Sequence, residues 1–218
     1  MNPHMKNACV DSLANQIHQR LSSVFVQLYH ENPSAGALIF VDTETSGFTR
    51  DVDIIELGAI SVELTSAMAI KIDLFSELVY PRKGVYIHPG AVAIHGITEY
   101  TLRKYGKPSR ETLTRFIEWV KSKSPTYLVA HNARFDEGML YMSFLKYKIN
   151  YDLPEFLCTM KMARILKKEK RLPIENAKLV TVANYFNCPQ MPEHRSVADA
   201  EACAYIFARM ALLYRQST

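Results

Sequence analysis

Ala37-Leu38-Ile39-Phe40-Val41-Asp42-Thr43-Glu44-Thr45-Ser46-Gly47-Phe48 is an apolar run that ends in two acids and a glycine. Its first five residues read as a fully buried strand: the run is short, partly β-branched or aromatic, and closed by polar residues. Residues two apart on a strand point to the same face, ~6.6 Å apart along the chain, so the carboxylates of Asp42 and Glu44 project together. Like charges so placed repel. A strand end opening into solvent tolerates them, and so does one that holds a hard divalent cation between them, which carboxylate oxygens select as Mg²⁺ or Mn²⁺.

Outward from this stretch, Ile54–Glu63 and Ile70–Tyr80 read as two further strands. The short connections predict an antiparallel meander of three strands. Pro89–Thr98 reads as a loop and short helix carrying His95. Ser109 predicts an N-cap for a helix over Glu111–Lys121, whose Leu113, Phe116, Ile117 and Val120 make a core face. Thr126–Ala130 reads as a fourth strand running into His131-Asn132-Ala133-Arg134-Phe135-Asp136, with a helix from there to about Tyr147. Cys158–Lys168, Leu179–Phe186 and Val197–Tyr214 read as helices, and Leu172–Asn176 as a mobile loop. Strands first, then alternating strands and helices, predict an α/β domain with a mixed sheet flanked by helices.

Residues 1–36 stand apart from the domain predicted over 37–218. Leu13, Ile17, Leu21, Val24, Phe25 and Leu28 recur at spacings of three and four. They predict an amphipathic helix over Ser12–Tyr29 with Asp11 as N-cap, ended by Glu31–Gly36. Its stripe either packs on the domain or offers a surface, over residues 12–29, to a protein partner or a second copy.

The 218 residues suffice for one domain with a sizeable core. Apolar residues make up 48% and charged residues 22%; the net charge of +4 permits a nucleic-acid partner without requiring one. Cys9, Cys158, Cys188 and Cys203 show no Cys-x-x-Cys spacing, which argues against a zinc ribbon or redox motif. No apolar run approaches a membrane span and no signal core follows the initial methionine, so the expected setting is cytoplasmic and reducing.

Asp136 falls at the start of a helix, and Asp199 lies three residues after Ser196 in a capping pattern; either is ordinary alone. His194 lies five residues before Asp199 and would stand on the preceding loop. Together with Asp42 and Glu44 they supply four carboxylates and one imidazole at the ends of secondary elements. Two-metal phosphodiester hydrolysis needs such a set: acids to neutralise two divalent cations, and a histidine, titrating near about pH 6.5, to take the proton of the attacking water.

Asp42-Thr43-Glu44-Thr45-Ser46-Gly47, His131-Asn132-Ala133-Arg134-Phe135-Asp136 and His194-Arg195-Ser196-Val197-Ala198-Asp199-Ala200 resemble, in order and spacing, the three motifs of the DEDDh (DnaQ-like) 3′-to-5′ exonucleases. Ile55–Ala59 and Ile94–Thr98 resemble the connecting segments of that family, and the likeness covers about Ala37–Tyr214. Thr45-Ser46-Gly47 varies mildly from the Thr-Thr-Gly of many relatives. The resemblance implies a ribonuclease-H-like fold. It implies that Asp42, Glu44 and Asp199 hold the metal that activates water, that Asp42 and Asp136 hold the second, and that His194 is the general base, its spacing to Asp199 being that of the histidine branch. The implied reaction releases nucleoside 5′-monophosphates from single-stranded DNA or RNA 3′ ends. A proofreading or scaffold subunit, binding a polymerase or other partner through the N-terminal helix, is the alternative.

By the same resemblance, the backbone of Thr43, Thr45, Ser46 and Gly47 and the His95 segment line the terminal-nucleotide site. Phe48 and Phe135 are candidates for base stacking, though Phe135, beside a metal ligand on a helix start, reads rather as core. Asn132 and Arg134 would position phosphates. Lys161, Arg164, Lys167, Lys168, Lys170 and Arg171 form the densest basic cluster, either a solvated helix face or a track for the phosphodiester backbone.

Overall fold

The structure is a computed structural model that describes residues 3–31, 36–48, 51–65 and 69–215. One six-stranded mixed sheet organises it, in the order β4-β3-β2-β1-β5-β6. β1 (Leu38–Thr45), β2 (Ile54–Leu64) and β3 (Ile70–Tyr80) form the predicted antiparallel meander. β5 (Tyr127–Ala130) runs parallel to β1, and β6 (Phe156–Cys158) parallel to β5. A two-residue β4 (Lys107–Pro108) pairs with the end of β3. The helices are α1 (Pro3–Glu31), α2 (Pro89–His95), α3 (Glu99–Tyr105), α4 (Ser109–Lys123), α5 (Ala133–Tyr147), α6 (Thr159–Lys168), α7 (Leu179–Tyr185) and α8 (Ser196–Arg215).

Strand parity sorts the core into two layers. Leu38 and Phe40 of β1, with Ile60 and Val62 of β2, pack under α1 and α8. Ile39 and Val41, with Leu57 and Ala59, pack under α4 and α5. Because β1 continues as a paired strand to Thr45, four residues beyond the apolar run, this parity carries on into the acids. Asp42 and Glu44 fall on the α8 face and Thr43 on the α5 face. A third apolar cluster joins α6, α7 and the far side of α8.

The helix α1 begins at Pro3, so Asp11 lies inside it and is not its N-cap; of the predicted terminating segment, residues 32–35 lie outside the described residues. Ile17, Leu21, Phe25 and Tyr29 are fully buried against β3 and α8. Polar contacts add to this packing: Tyr29 Oη donates to the Val62 carbonyl at 3.1 Å, and Arg20 forms a two-pronged ion pair with the buried Glu201 of α8. The stripe read as amphipathic therefore closes the domain's own core.

Other differences have local causes. Ser109 is the first residue of α4 rather than its cap, and its hydroxyl donates instead to the Tyr80 carbonyl at 2.9 Å. The stretch Phe156–Cys158 is a strand that ends where α6 begins. Leu172–Asn176 is not a free loop, since Leu172 and Ile174 are buried in the third cluster.

Candidate active site

Three elements, β1, α5 and α8, deliver the acids to one end of the sheet. Asp136, 4% exposed, sits in the first turn of α5 and its Oδ1 accepts from the Thr43 amide at 3.0 Å and the Thr43 hydroxyl at 2.9 Å. That pair of bonds pins α5 to the odd face of β1. Asp199, in the first turn of α8, is 6% exposed and accepts through Oδ1 from the amides of Glu193 at 2.8 Å and His194 at 3.2 Å. The carboxylate thereby curls the loop that precedes its helix back over it. His194 is exposed in a left-handed conformation (φ 53°), an unusual state for a non-glycine residue that histidine enters more readily than most. Glu44, His194 and Asp199 converge, one donor atom from each lying within 4.8 Å of the others.

Electrostatics at this end are strained. Burial, and then the charges of Asp136, Asp199 and Glu44, push the Asp42 carboxyl well above the usual carboxylate range. Burial, Asp199 and Glu56 push Glu44 up to about 8. Asp136 rises to about 7, chiefly through burial, against the stabilising bonds from Thr43. Burial raises Asp199 as well. Among the described residues none of these four acids forms an ion pair with a lysine or arginine. Hard oxygen donors, crowded and short of positive charge, are a donor set that suits divalent cations.

Two side chains outside the predicted set hold the site in place. Glu56 of β2, 4% exposed and directly opposite Glu44, accepts a fork from Arg195 (3.1 and 2.6 Å to Oε1) and the Ser196 amide at 2.8 Å. His194 is thus fixed from both sides, by Asp199 before it and by Glu56 after it. The Ser196 hydroxyl is buried and has no hydrogen-bond partner among the described residues. Gly58, opposite Asp42, lets α8 approach: a Cβ there would lie 2.6 Å from the Ser196 carbonyl carbon and from the Val197 nitrogen. Between Glu44 and Thr45 the register with β2 slips, a bulge of the kind that re-aims side chains beside active sites.

A comparison with known sequences settles the kinship. Residues 39–207 match the exonuclease family RNase_T. The chain belongs to that exonuclease family. The exonuclease shares 31% identity over 176 residues with the DNA polymerase III PolC-type protein of Caldanaerobacter subterraneus subsp. tengcongensis, which covers 80% of this chain and 12% of that protein. Against the PolC-type protein of Listeria monocytogenes it shares 31% over 166 residues, 76% of this chain and 10% of the relative. The chain thus spans about a tenth of these relatives. Among solved structures, the nuclease domain of 3′hExo, a DEDDh family member bound to rAMP, superposes with a TM-score of 0.65 at 17% identity, covering 81% of this chain and 92% of that one. The zinc-bound E. coli ExoI–ssDNA complex gives 0.69 at 18%, covering 84% and 41%. These likenesses establish the ribonuclease-H-like fold.

In this exonuclease the remaining predicted residues divide. Thr43, Thr45 and Ser46 are buried, and their hydroxyls build the site's frame: Thr45 donates to the Gly47 carbonyl at 2.9 Å, and Ser46 accepts from the Asp53 amide at 3.0 Å. His95 is buried; its Nδ1 accepts from the Ile97 amide at 3.0 Å, while Nε2 has no hydrogen-bond partner among the described residues. Asn132 and Arg134 are exposed at the opening of α5. Phe48 is 67% exposed, and Phe135 is 44% exposed rather than core. The basic cluster is split as well: Arg171 binds the Leu213 and Tyr214 carbonyls at the end of α8, and Lys167 binds the Glu175 carbonyl. Lys161, Arg164, Lys168 and Lys170 are exposed.

Proposed function

We propose that this exonuclease removes nucleoside 5′-monophosphates stepwise from the 3′ end of single-stranded DNA or RNA, with two Mg²⁺ or Mn²⁺ ions as cofactors. The observation that carries the reading is the convergence of Glu44, His194 and Asp199 beside Asp42 and the buried Asp136. When bound, the cations supply charge stabilisation for the attacking and leaving oxygens of an in-line displacement. Asp42, Glu44 and Asp199 would hold one, Asp42 and Asp136 the other.

The chain's own part is positioning and proton transfer. The exposed imidazole of His194, on a loop whose backbone is tied to Asp199 and Glu56, takes the proton of the attacking water. Thr43 fixes the Asp136 carboxylate so that it stays aimed while the substrate changes. Backbone groups of Thr43–Gly47 and the His95 segment would receive the terminal nucleotide, with Phe48 at the edge of that site as a base contact and Asn132 and Arg134 near phosphates. Residues 37–218 would form the exonuclease domain, with residues 1–36 an N-terminal extension whose helix α1 is folded onto it. The similar structures of E. coli Exonuclease I in complex with dT13 and dA16 oligonucleotides support a single-stranded substrate. A polymerase-associated role draws support from the PolC-type relatives, but docking through residues 12–29 would have to use a stripe already packed on β3 and α8.

The test is digestion of 5′-labelled single-stranded DNA and RNA of matched sequence with Mg²⁺, Mn²⁺ or EDTA, beside Asp42→Ala. Metal-dependent ladders shortening from the 3′ end, absent in the variant, are expected. Full activity in Asp42→Ala, or shortening that proceeds in EDTA, would refute the reading.

A further inference from the structure

Just past Glu44 the chain leaves β1 through Ser46-Gly47-Phe48 and meets the segment that follows β3. The two are drawn tightly together: the His88 amide donates to the Ser46 carbonyl at 2.7 Å, and a Cβ on Gly47 would sit 3.3 Å from that of His88. Between them lies a cavity of about 380 Å³, a volume within the range of small-ligand sites. Its lining includes Phe48, Arg82, Lys83, Gly84, Tyr86 and His88. Ser46, Gly47 and Phe48 line it too, so it is continuous with the proposed terminal-nucleotide site, while none of the four acids lines it, nor do His95, Asn132 or Arg134.

The lining has the chemistry of a nucleic-acid site. Phe48 and Tyr86 are 67% and 71% exposed, large aromatic surfaces left open at a concave wall. Phe48 meets the His88 ring edge-on with centroids 5.6 Å apart, and His88 is itself held by a bond from the Gly90 amide to Nδ1 at 3.0 Å. These rings form a corner with one fixed side. Arg82 is locked by Asp53 at 3.0 Å and Asp51 at 2.7 Å, which compensates its charge and fixes the base of the next turn. That turn closes with the Val85 amide on the Arg82 carbonyl at 3.1 Å and uses Gly84 at φ 87°, a conformation natural to glycine. Lys83, on the turn, is exposed and makes no ion pair among the described residues. Aromatic faces accept any base by stacking, and a lysine beside them accepts a phosphate.

We propose that this cavity seats the nucleotide on the 5′ side of the bond being cleaved, with its base against Phe48 and Tyr86 and its phosphate near Lys83. The inference rests on the proposed function: with the terminal phosphodiester at the acids, the next unit of the strand reaches the compartment that opens at Ser46. Lys83 and Tyr86 then set affinity for the strand without taking part in the chemistry.

Two substrates separate the claims. An oligothymidylate fills both compartments, whereas thymidine 5′-p-nitrophenyl phosphate carries the same terminal nucleotide with an aryl group in place of the next one. Tyr86→Ala should raise KM for the oligonucleotide on the order of 10-fold. Lys83→Ala should lower the slope of log affinity against log salt by about one. Both side chains are exposed, so both variants should keep the wild-type melting temperature and the wild-type kinetics on the aryl ester. Unchanged oligonucleotide KM in both variants, or equal losses on both substrates, would overturn the inference, as would a loss confined to duplex ends, which would give the cavity to a complementary strand. Should the wild type cleave neither substrate, the proposed function is what fails. Fluorescence anisotropy of a labelled oligothymidylate in EDTA then decides the cavity alone, since the same two variants must still weaken binding by the same factors.

Discussion

In EDTA the fold should lose stability as the pH rises, and a divalent cation should restore it. The folded protein holds the Glu44 carboxyl up to about 8 and that of Asp136 up to about 7, from ordinary values of 4.5 and 3.8. Across this window the unfolded chain has released protons that the folded chain keeps. Stability therefore falls with rising pH, the full contribution being present below the unfolded values and lost as pH climbs through the folded ones. Holding either carboxyl that far above its ordinary value corresponds to about 4 kcal/mol. Glu44 and Asp136 feel each other's charge, so the two shifts do not add, and about 4 kcal/mol is the expectation for the pair between about pH 5 and 8. For a chain of this length that is on the order of 10 °C in melting temperature.

The group His131 works in the opposite sense. Its Nδ1 meets the Thr159 hydroxyl and its Nε2 the Ala177 carbonyl, each at 2.9 Å, and burial pushes it down to about 4. Its contribution is intact above about pH 6.5 and is lost on acidification toward 4; discounted for residual exposure it amounts to about 2 kcal/mol. The apoprotein should thus be most stable near about pH 5 to 6. Adding Mg²⁺ or Mn²⁺ above about pH 7.5 should raise the melting temperature, because only the folded state brings the acids together; at a hundredfold excess over Kd the gain is about 2.7 kcal/mol. Scanning calorimetry in EDTA across this range, repeated with each cation and with Asp136→Asn, checks the argument. The variant should flatten the alkaline slope. A melting temperature in EDTA that holds constant or rises from about pH 6 to 8 would refute the reasoning.

Gly58→Ala should cost about 1–3 kcal/mol by overpacking and lower activity further, since the new methyl meets backbone of Ser196 and Val197 and must displace the start of α8; calorimetry and a digestion time course read the two effects. Glu56→Ala should reduce kcat more than it changes KM, on the order of 10-fold or more, because it frees the loop after His194 while leaving the acids in place. Glu56→Gln, which can still accept from the Ser196 amide, should recover part of that loss, and equal kcat in the two variants would show that the tether is not what positions the loop. Phe25→Ala should destabilise by about 3–5 kcal/mol, as its ring is fully buried against Phe40, with centroids 5.7 Å apart; urea unfolding measures it, and a loss below about 1 kcal/mol would mean that α1 is not part of the core.

The residues that the sequence made legible were those whose roles follow from local period. Strand alternation puts Asp42 and Glu44 on one face, the meander follows from short turns between β1, β2 and β3, and the spacing of Ile17, Leu21, Val24 and Leu28 identifies the buried side of α1. Phe135 departs from the core reading because adjacency to a buried acid says little on a helix: one residue from Asp136 is about 100° around the axis, enough to carry the ring into solvent. Phe156–Cys158 is too short for a period, and pairing with β5 rather than propensity makes it a strand.

Glu56 escaped for a different reason. In sequence it is one acid within an apolar strand, 139 residues from the Arg195 that gives it meaning. Its burial is tolerable only because the guanidinium and the Ser196 amide satisfy it, and both belong to the segment that carries His194. The same holds for Gly58, whose missing side chain matters because α8 docks there. Local pattern thus names the acids and the imidazole, while the contacts that bring them within reach of one another are made between β2 and α8. Those contacts join segments far apart in the chain, so the candidate active end of this exonuclease is completed where α8 packs on a strand from the first third of the chain.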